Sequence, residues 1–195
     1  MRRITKYSSI SVPIANAFAY IAIELCKRLE GVKFAYVHDD YIYLLCAGEL
    51  SYDGNIQNLS SACSSIASSA FNAFLYTIIN SEYIEDCIGN KHYYPSLEEK
   101  EMCELQLFAS VFTTNVYPVP QHKINEIFTY LSEQCEERVK ARFFHRPFGS
   151  QLNEKETFWR LLSEPYRKGF CVCKQAKEWK PTSVLAYLAS KNTTM

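Results

Sequence analysis

The segment that most constrains the fold is residues 32–46, where two runs of β-branched and aromatic residues flank a polar, acidic centre. This pattern predicts a β-hairpin with His38, Asp39 and Asp40 at its tip. A short hairpin joins two neighbouring antiparallel strands. Any sheet that this chain builds therefore contains at least one antiparallel pair.

Apolar periodicity predicts the other elements. Helices are expected over residues 13–30, 55–80, 121–142, 154–162 and 180–188. Strands are expected over residues 105–117 and 169–174, a turn over 51–54, and loops over 91–96 and 145–151. The acidic stretch 82–104 is expected to hold a short helix beside its loop. The sequence predicts an α+β fold of one domain, residues 1–195, with helices covering one face of an antiparallel sheet.

The formal net charge is zero, which by itself argues against a protein that binds nucleic acid. The charges are unevenly distributed, however. Residues 41–137 contain 13 acidic and 3 basic side chains, whereas residues 138–195 contain 4 acidic and 12 basic ones. A basic C-terminal part of this kind can bind phosphates if its cations share one face.

Several classes of protein are excluded by simple patterns. The chain has no run of 18 apolar residues, so a membrane span is not expected. No apolar stretch follows Met1, so a signal peptide is not expected either. We therefore expect a cytoplasmic location. The 6 glycines are never within three residues of each other, which excludes a phosphate-binding glycine-rich loop.

The 8 cysteines form no C-x-x-C pair, so the usual spacing of a zinc site is absent. Cys26, Cys46 and Cys63 lie inside apolar patterns and are expected to pack as small core residues. Cys171 and Cys173 alternate along a predicted strand and should point to the same face, where packing is favoured over a redox or metal role.

Asp39 and Asp40 are the candidate chemical centre. Two adjacent carboxylates are too costly to bury unpaired, so they must meet solvent, a cation or a basic partner. Mg²⁺ prefers such oxygen ligands, and acidic pairs of this kind support in-line phosphoryl transfer. A solvated turn accounts for the same residues, because aspartate is favoured in turns. Of the four histidines, only His38 stands beside these carboxylates.

Four ordered segments resemble the tRNA-His guanylyltransferase family, the 3′–5′ nucleotidyltransferases. The first is G-V-K-F-A-Y-V-H-D-D at 31–40, which is similar to the family's G-x-K-F-A-Y-x-x-S-D-E. The others are D-G-N-I-Q-N at 53–58 with the serine-rich helix after it, F-T-T-N-V-Y at 112–117, and R-K-G-F-C-V-C-K at 167–174. A looser similarity covers 131–140, where Gln134, Glu137 and Arg138 match.

The resemblance implies a palm-like, ferredoxin-like antiparallel sheet with additional C-terminal helices. It implies a catalytic core over 12–142 and a basic extension over 143–195. The ligands that it implies are Mg²⁺, a nucleoside triphosphate (GTP) and the 5′ end of a tRNA. It also implies a homo-oligomer, commonly a tetramer. The implied residues are Asp40 and Asp39 for catalysis and metal, Asn58 and Ser61 for nucleotide, and Arg138, Arg142, Arg167, Lys168 and Lys174 for RNA.

The chain also departs from the family pattern. Asp39 and Tyr41 replace the Ser and Glu of S-D-E, and Asn58 stands where a lysine that meets triphosphate is expected. The F-D-A-R motif becomes F-T-T-N at 112–115, which removes one acid and one base.

The family's first strand, R-I-D-G-R-x-F, has no counterpart, although it brings the second metal carboxylate. Its loss should leave unpaired backbone on neighbouring strands. The sequence favours either a truncated or mis-assigned start, or a degenerate relative whose gap is filled by a partner chain or by residues 1–11.

Two functional hypotheses follow. The first is Mg²⁺-dependent addition of a nucleotide to a tRNA 5′ end, with Asp40 as the metal ligand and Asp39 in place of the lost carboxylate. The second is a catalytically inactive palm that serves as an RNA-binding or oligomerisation subunit.

Overall fold

The computed structural model describes residues 12–38, 41–79, 83–85, 91–93, 111–144 and 167–183. The helices in these ranges are α1 (Val12–Arg28), α2 (Ile56–Ile79) and α3 (Ile124–Phe144), with 3₁₀ turns at Ser51–Gly54 and Gln121–Lys123. The strands are β1 (Val32–His38), β2 (Tyr41–Cys46), β3 (Tyr83–Glu85), β4 (Lys91–Tyr93), β5 (Phe170–Gln175) and β6 (Glu178–Ser183). None of the described helices is long and apolar enough to cross a lipid bilayer.

Four strands form an antiparallel sheet in the order β2-β1-β5-β6. The predicted hairpin is confirmed, since β1 pairs with β2 from Val32 opposite Cys46 to His38 opposite Tyr41. On its other side β1 pairs with β5, which confirms the predicted strand over 169–174. β3 and β4 form a separate two-stranded sheet. The predicted α+β class with an antiparallel sheet is confirmed.

Helices cover both faces of this sheet, which corrects the expectation of one covered face. On one face, Ala35 and Val172 join the core built on α1 and α2. On the other face, Phe34, Tyr36 and Cys171 pack against α3 residues that include Phe128. The reason lies in β1, whose residues from Phe34 to His38 are all buried, as in a strand with two covered faces.

Residues 111–117 do not form the predicted strand. They run along α2 and are held there by serine side chains. The Phe112 N–H donates to Ser68 Oγ (3.2 Å), the Ser60 hydroxyl donates to the Thr114 carbonyl (2.9 Å), and the Ser64 and Thr114 hydroxyls share a 2.8 Å hydrogen bond. Small side chains on α2 let this backbone approach closely, so its hydrogen bonds go to a helix rather than to a strand.

Two other predictions are wrong. Residues 180–183, expected to open a helix, belong to β6, where Lys180 lies opposite Cys173. Pro181 is compatible with this strand because β6 is an edge of the sheet. Residues 91–93, expected in a loop, form β4. The predicted elements over 105–110, 145–151, 154–162 and 184–188 lie outside the described residues.

Gly169 fixes how the chain enters β5. Its φ is +78°, and a Cβ at this position would overlap the Val37 carbonyl oxygen and lie 2.8 Å from His38 Cβ. Only glycine adopts this backbone without strain and also allows such close contact. The position therefore requires glycine for two separate reasons.

We expect Gly169→Ala to destabilise the protein by about 3 kcal/mol, because it adds both backbone strain and overlap with β1. Gly48→Ala is the matched control. Gly48 also has a positive φ, of +84°, but its nearest neighbour to a new Cβ is Lys33 Nζ at 4.0 Å. Urea unfolding should give a loss of only about 1 kcal/mol for Gly48→Ala. Equal losses in the two variants would show that the contact with β1 does not matter.

We expect Ser64→Ala to lower the free energy of unfolding by about 1 kcal/mol, because it removes the hydrogen bond to Thr114. Ser65→Ala, on an exposed position of the same helix turn, should leave stability unchanged within about 0.5 kcal/mol. Chemical denaturation of both variants measures the difference. A loss for Ser64→Ala no larger than that for Ser65→Ala would contradict this account of residues 111–117.

Candidate functional site

The tip of the hairpin is bounded by His38 and Tyr41, which lie opposite each other at the ends of β1 and β2. The two residues between them in the chain, Asp39 and Asp40, lie outside the described residues, so their catalytic and metal roles stay predictions. Among the residues that the structure does describe, no group of three or more His, Cys, Asp or Glu side chains could hold a metal ion.

An aromatic cluster supports the tip from the α3 side of the sheet. The His38 side chain is only 2% exposed, and its ring lies 5.3 Å from the rings of both Tyr36 and Tyr43. Tyr41 stacks beside Tyr43 with ring centroids 6.1 Å apart and remains 45% exposed. Aromatic pairs of this kind contribute about 0.5–1.5 kcal/mol each. The structure therefore makes His38, the histidine that stood out in the sequence, a buried member of the packing below the tip.

Tyr36 connects this cluster to α3 and to the start of β5. Its hydroxyl donates a hydrogen bond to the Lys168 carbonyl, and its ring lies 6.1 Å from that of Phe128 on α3. Burial is the main reason that the pKa of Tyr36 lies far above its usual range. The hydroxyl therefore stays protonated and keeps its role as a donor at any physiological pH.

The two predicted nucleotide-binding residues lie together near the start of α2. Asn55 caps the helix, since its side-chain oxygen accepts a hydrogen bond from the Asn58 N–H at 3.0 Å. Asn58 and Ser61 are both exposed, and their spacing places them on one side of the helix. The bond between Ser60 and the Thr114 carbonyl brings the exposed Asn115 close to this same end. Asn115 stands where the family motif has arginine.

The four predicted RNA-binding cations whose side chains are described lie on two different faces of the sheet. The Arg138 guanidinium lies over the Tyr41 ring, 5.6 Å from its centroid, on the α3 side of the sheet. Arg167 and Lys168 lie on that side as well, each 3.6 Å from the carboxylate of Glu136 on α3. Lys174 alternates with Cys173 along β5 and therefore lies on the α1 and α2 side. The side chain of the fifth cation, Arg142, lies outside the described residues.

The sequence analysis missed two residues that the structure brings to these cations. Glu136 forms ion pairs with Arg167 and Lys168, and Tyr41 holds Arg138. The only sequence signal was that Tyr41 replaces the glutamate of the family motif directly after Asp40. Its contact with α3 joins residues about a hundred positions apart, and no local pattern reveals such a contact.

Cys26, Cys46 and Cys63 pack in the core, as predicted. Cys26 and Cys63 are buried in the core between the sheet and α1 and α2, and Cys46 packs against them. Desolvation by burial raises the pKa of Cys26 to about 12 and that of Cys63 to about 11. Metals bind the thiolate form, so these protonated thiols are poor ligands. Cys171 and Cys173 belong to the α3 face together, which confirms their predicted common orientation.

We expect the free energy of unfolding to decrease as the pH rises above 9. An unfolded thiol ionises near pH 9, whereas the folded Cys26 keeps its proton up to about pH 12. The folded state then binds more protons than the unfolded state, and deprotonation favours unfolding. Urea unfolding between pH 8 and pH 10.5 should show a smaller decrease for Cys26→Ala than for the unchanged protein. Identical slopes would mean that Cys26 ionises normally in the folded state.

Comparison with known proteins identifies the fold. No family model and no curated protein sequence matches the chain. A bacterial tRNA(His) guanylyltransferase-like protein solved in complex with ATP is similar at a TM-score of 0.68 and 15% identity, over 93% of this chain and 78% of that one. A structure of such a protein in complex with GTP is similar at a TM-score of 0.60 and 15% identity, over 93% and 76%. The resemblance drawn from the four sequence segments is confirmed at the level of the fold: this chain has the architecture of the tRNA-His guanylyltransferase-like proteins.

Proposed function

We propose that this chain is a palm-type nucleotidyltransferase. It uses Mg²⁺ to add a nucleotide, supplied as GTP, to the 5′ end of a tRNA. The observation that carries the proposal is the hairpin, whose two ordered strands end at His38 and Tyr41 on either side of an adjacent pair of aspartates. The similar structures with this architecture contain bound ATP and GTP.

The donor set at the tip suits magnesium. Mg²⁺ binds carboxylate oxygens and usually takes one or two protein carboxylates together with substrate phosphates. Asp40 would be the principal ligand, and Asp39 would supply the carboxylate that the family's first strand otherwise brings. A bound Mg²⁺ would neutralise charge on the triphosphate.

The chain's own polar groups have distinct parts in this proposal. Asn58 and Ser61 are exposed donors near the start of α2 that would hydrogen-bond the nucleotide. Asn58 is neutral where the family has a lysine, so we expect these two residues to orient phosphates more than to attract them. Arg138, Arg142, Arg167, Lys168 and Lys174 are the proposed RNA contacts.

A catalytically inactive RNA-binding or oligomerisation subunit is the second candidate. A specific observation favours it: Thr113 and Asn115 replace the acid and the base of F-D-A-R. Thr114, between them, uses both its hydroxyl and its carbonyl to hold residues 111–117 on α2. A homo-oligomer, a tetramer by family resemblance, and a cytoplasmic location belong to both candidates.

We expect Asp40→Asn to reduce incorporation of labelled GTP into 5′-activated tRNA by about 100-fold or more, because it removes the charge that holds Mg²⁺. Glu49→Gln is the control, since it removes one exposed carboxylate away from the tip. It should leave incorporation unchanged. The assay is run with the complete chain over a range of Mg²⁺ concentrations.

The other outcomes separate the two candidates. Incorporation that survives Asp40→Asn would exclude the proposed role of the tip. If the unchanged protein incorporates nothing but binds tRNA in a salt-dependent way, the inactive subunit is the correct interpretation. If it neither incorporates GTP nor binds tRNA, both candidates are wrong.

A further inference from the structure

The contact between Tyr41 and Arg138 joins the start of β2 to α3. We infer that Arg138 binds a backbone phosphate of single-stranded RNA at the hairpin tip, and that Tyr41 is the positioning residue that holds the Arg138 guanidinium for this contact. The inference deepens the proposed function and rests on it, because it names the side of the sheet from which the RNA approaches.

The geometry holds the arginine in place. The guanidinium carbon lies 5.6 Å from the centroid of the Tyr41 ring, within the distance of about 6 Å at which a cation is attracted by an aromatic face. The Tyr41 ring packs against two neighbouring rings: it stacks beside Tyr43 and lies 5.7 Å from the buried His38 ring. Arg138 is thus held by a rigid cluster although it lies on the surface.

The Arg138 guanidinium has donors that suit a phosphate. Its five N–H groups lie in one plane and match the oxygens of a phosphate in pairs. Among the described residues, Glu136 is paired with Arg167 and Lys168, and no described carboxylate forms an ion pair with Arg138. The Arg138 charge therefore remains available for an anionic ligand.

Tyr41 is better suited to hold Arg138 for a phosphate than the glutamate that the family has at this position. A glutamate at this position would form an ion pair with a nearby arginine and cancel its charge. A tyrosine holds the arginine through the ring and adds no negative charge beside it. The departure from S-D-E at Tyr41 therefore increases the positive charge beside the predicted metal carboxylates.

Arg138 and the proposed nucleotide contacts lie on opposite faces of the sheet, whereas Lys174 lies on the nucleotide side. Asn58 and Ser61, the proposed nucleotide contacts, lie on α2, which packs on one face. Arg138 lies on α3, which packs on the opposite face together with Arg167 and Lys168. A ligand phosphate at Arg138 therefore belongs to a chain that reaches the tip from the α3 side, as the end of an RNA would.

The test measures binding of a 5′-phosphorylated, single-stranded RNA and, separately, of GTP to the complete chain. We expect Arg138→Gln to weaken RNA binding by about 10-fold and to lower the slope of log K against log salt by about 1, as the loss of one phosphate contact does. GTP binding should change less than about 2-fold. Lys140→Gln removes one exposed charge from the same helix and is the matched control, with a much smaller effect.

Variants of Tyr41 test the positioning role. Tyr41→Phe keeps the aromatic face and should bind RNA like the unchanged protein, whereas Tyr41→Leu should weaken binding nearly as much as Arg138→Gln. Arg138→Lys should restore the salt dependence but not the full affinity, because an ammonium group lacks the planar edge of donors. Thermal unfolding of each variant verifies that it is folded.

Three results would overturn the inference. If Arg138→Gln and Lys140→Gln weaken RNA binding equally, Arg138 contributes only general charge, and the proposed function still stands. If Arg138→Gln weakens GTP binding as much as RNA binding, the phosphate at Arg138 belongs to the nucleotide. If the unchanged protein binds neither RNA nor GTP, the proposed function fails and the inference fails with it.

Discussion

The burial of β1 on both faces is the constraint on which the rest of the structure depends. Ala35 and Val37 pack into the core shared with α1 and α2, and Phe34 and Tyr36 pack towards α3. β1 is also an interior strand, flanked by β2 and β5. Its buried backbone groups find partners on both neighbours. The hairpin therefore includes a strand that is packed on both faces and paired along both edges.

The residues on either side of the two aspartates belong to this packing. The last residue of β1, His38, is buried and surrounded by the rings of Tyr36, Tyr43 and Tyr41. The chain then reaches the pair of aspartates and returns as β2. Functional groups held at the end of packed strands keep their geometry better than groups on long loops. The supporting aromatic cluster also reaches α3 through Arg138, so the second face of the sheet takes part in the same site.

Much of the fold could be predicted because its signals are local. The hairpin follows from two apolar runs around an acidic centre, and α1, α2 and α3 follow from helical spacing. The failures have a common cause. Residues 111–117 have the composition of a strand, but Ser60, Ser64 and Ser68 supply their hydrogen bonds and no neighbouring strand does. Residues 180–183 carry signals for the start of a helix, but pairing with β5 makes them part of an edge strand.

The sequence alone determined the hairpin, the three long helices, β5, the class of the fold and the acidic pair at the hairpin, because periodicity, turn chemistry and the cost of buried charge act within short stretches of chain. Tertiary structure alone decided which side chains meet. In the folded chain α3 covers the second face of the sheet, and Glu136 forms ion pairs with Arg167 and Lys168. Arg138 lies over the Tyr41 ring. These contacts join residues far apart in the chain. They are set by strand order and by the face to which each helix packs, and neither is encoded in the spacing of neighbouring residues.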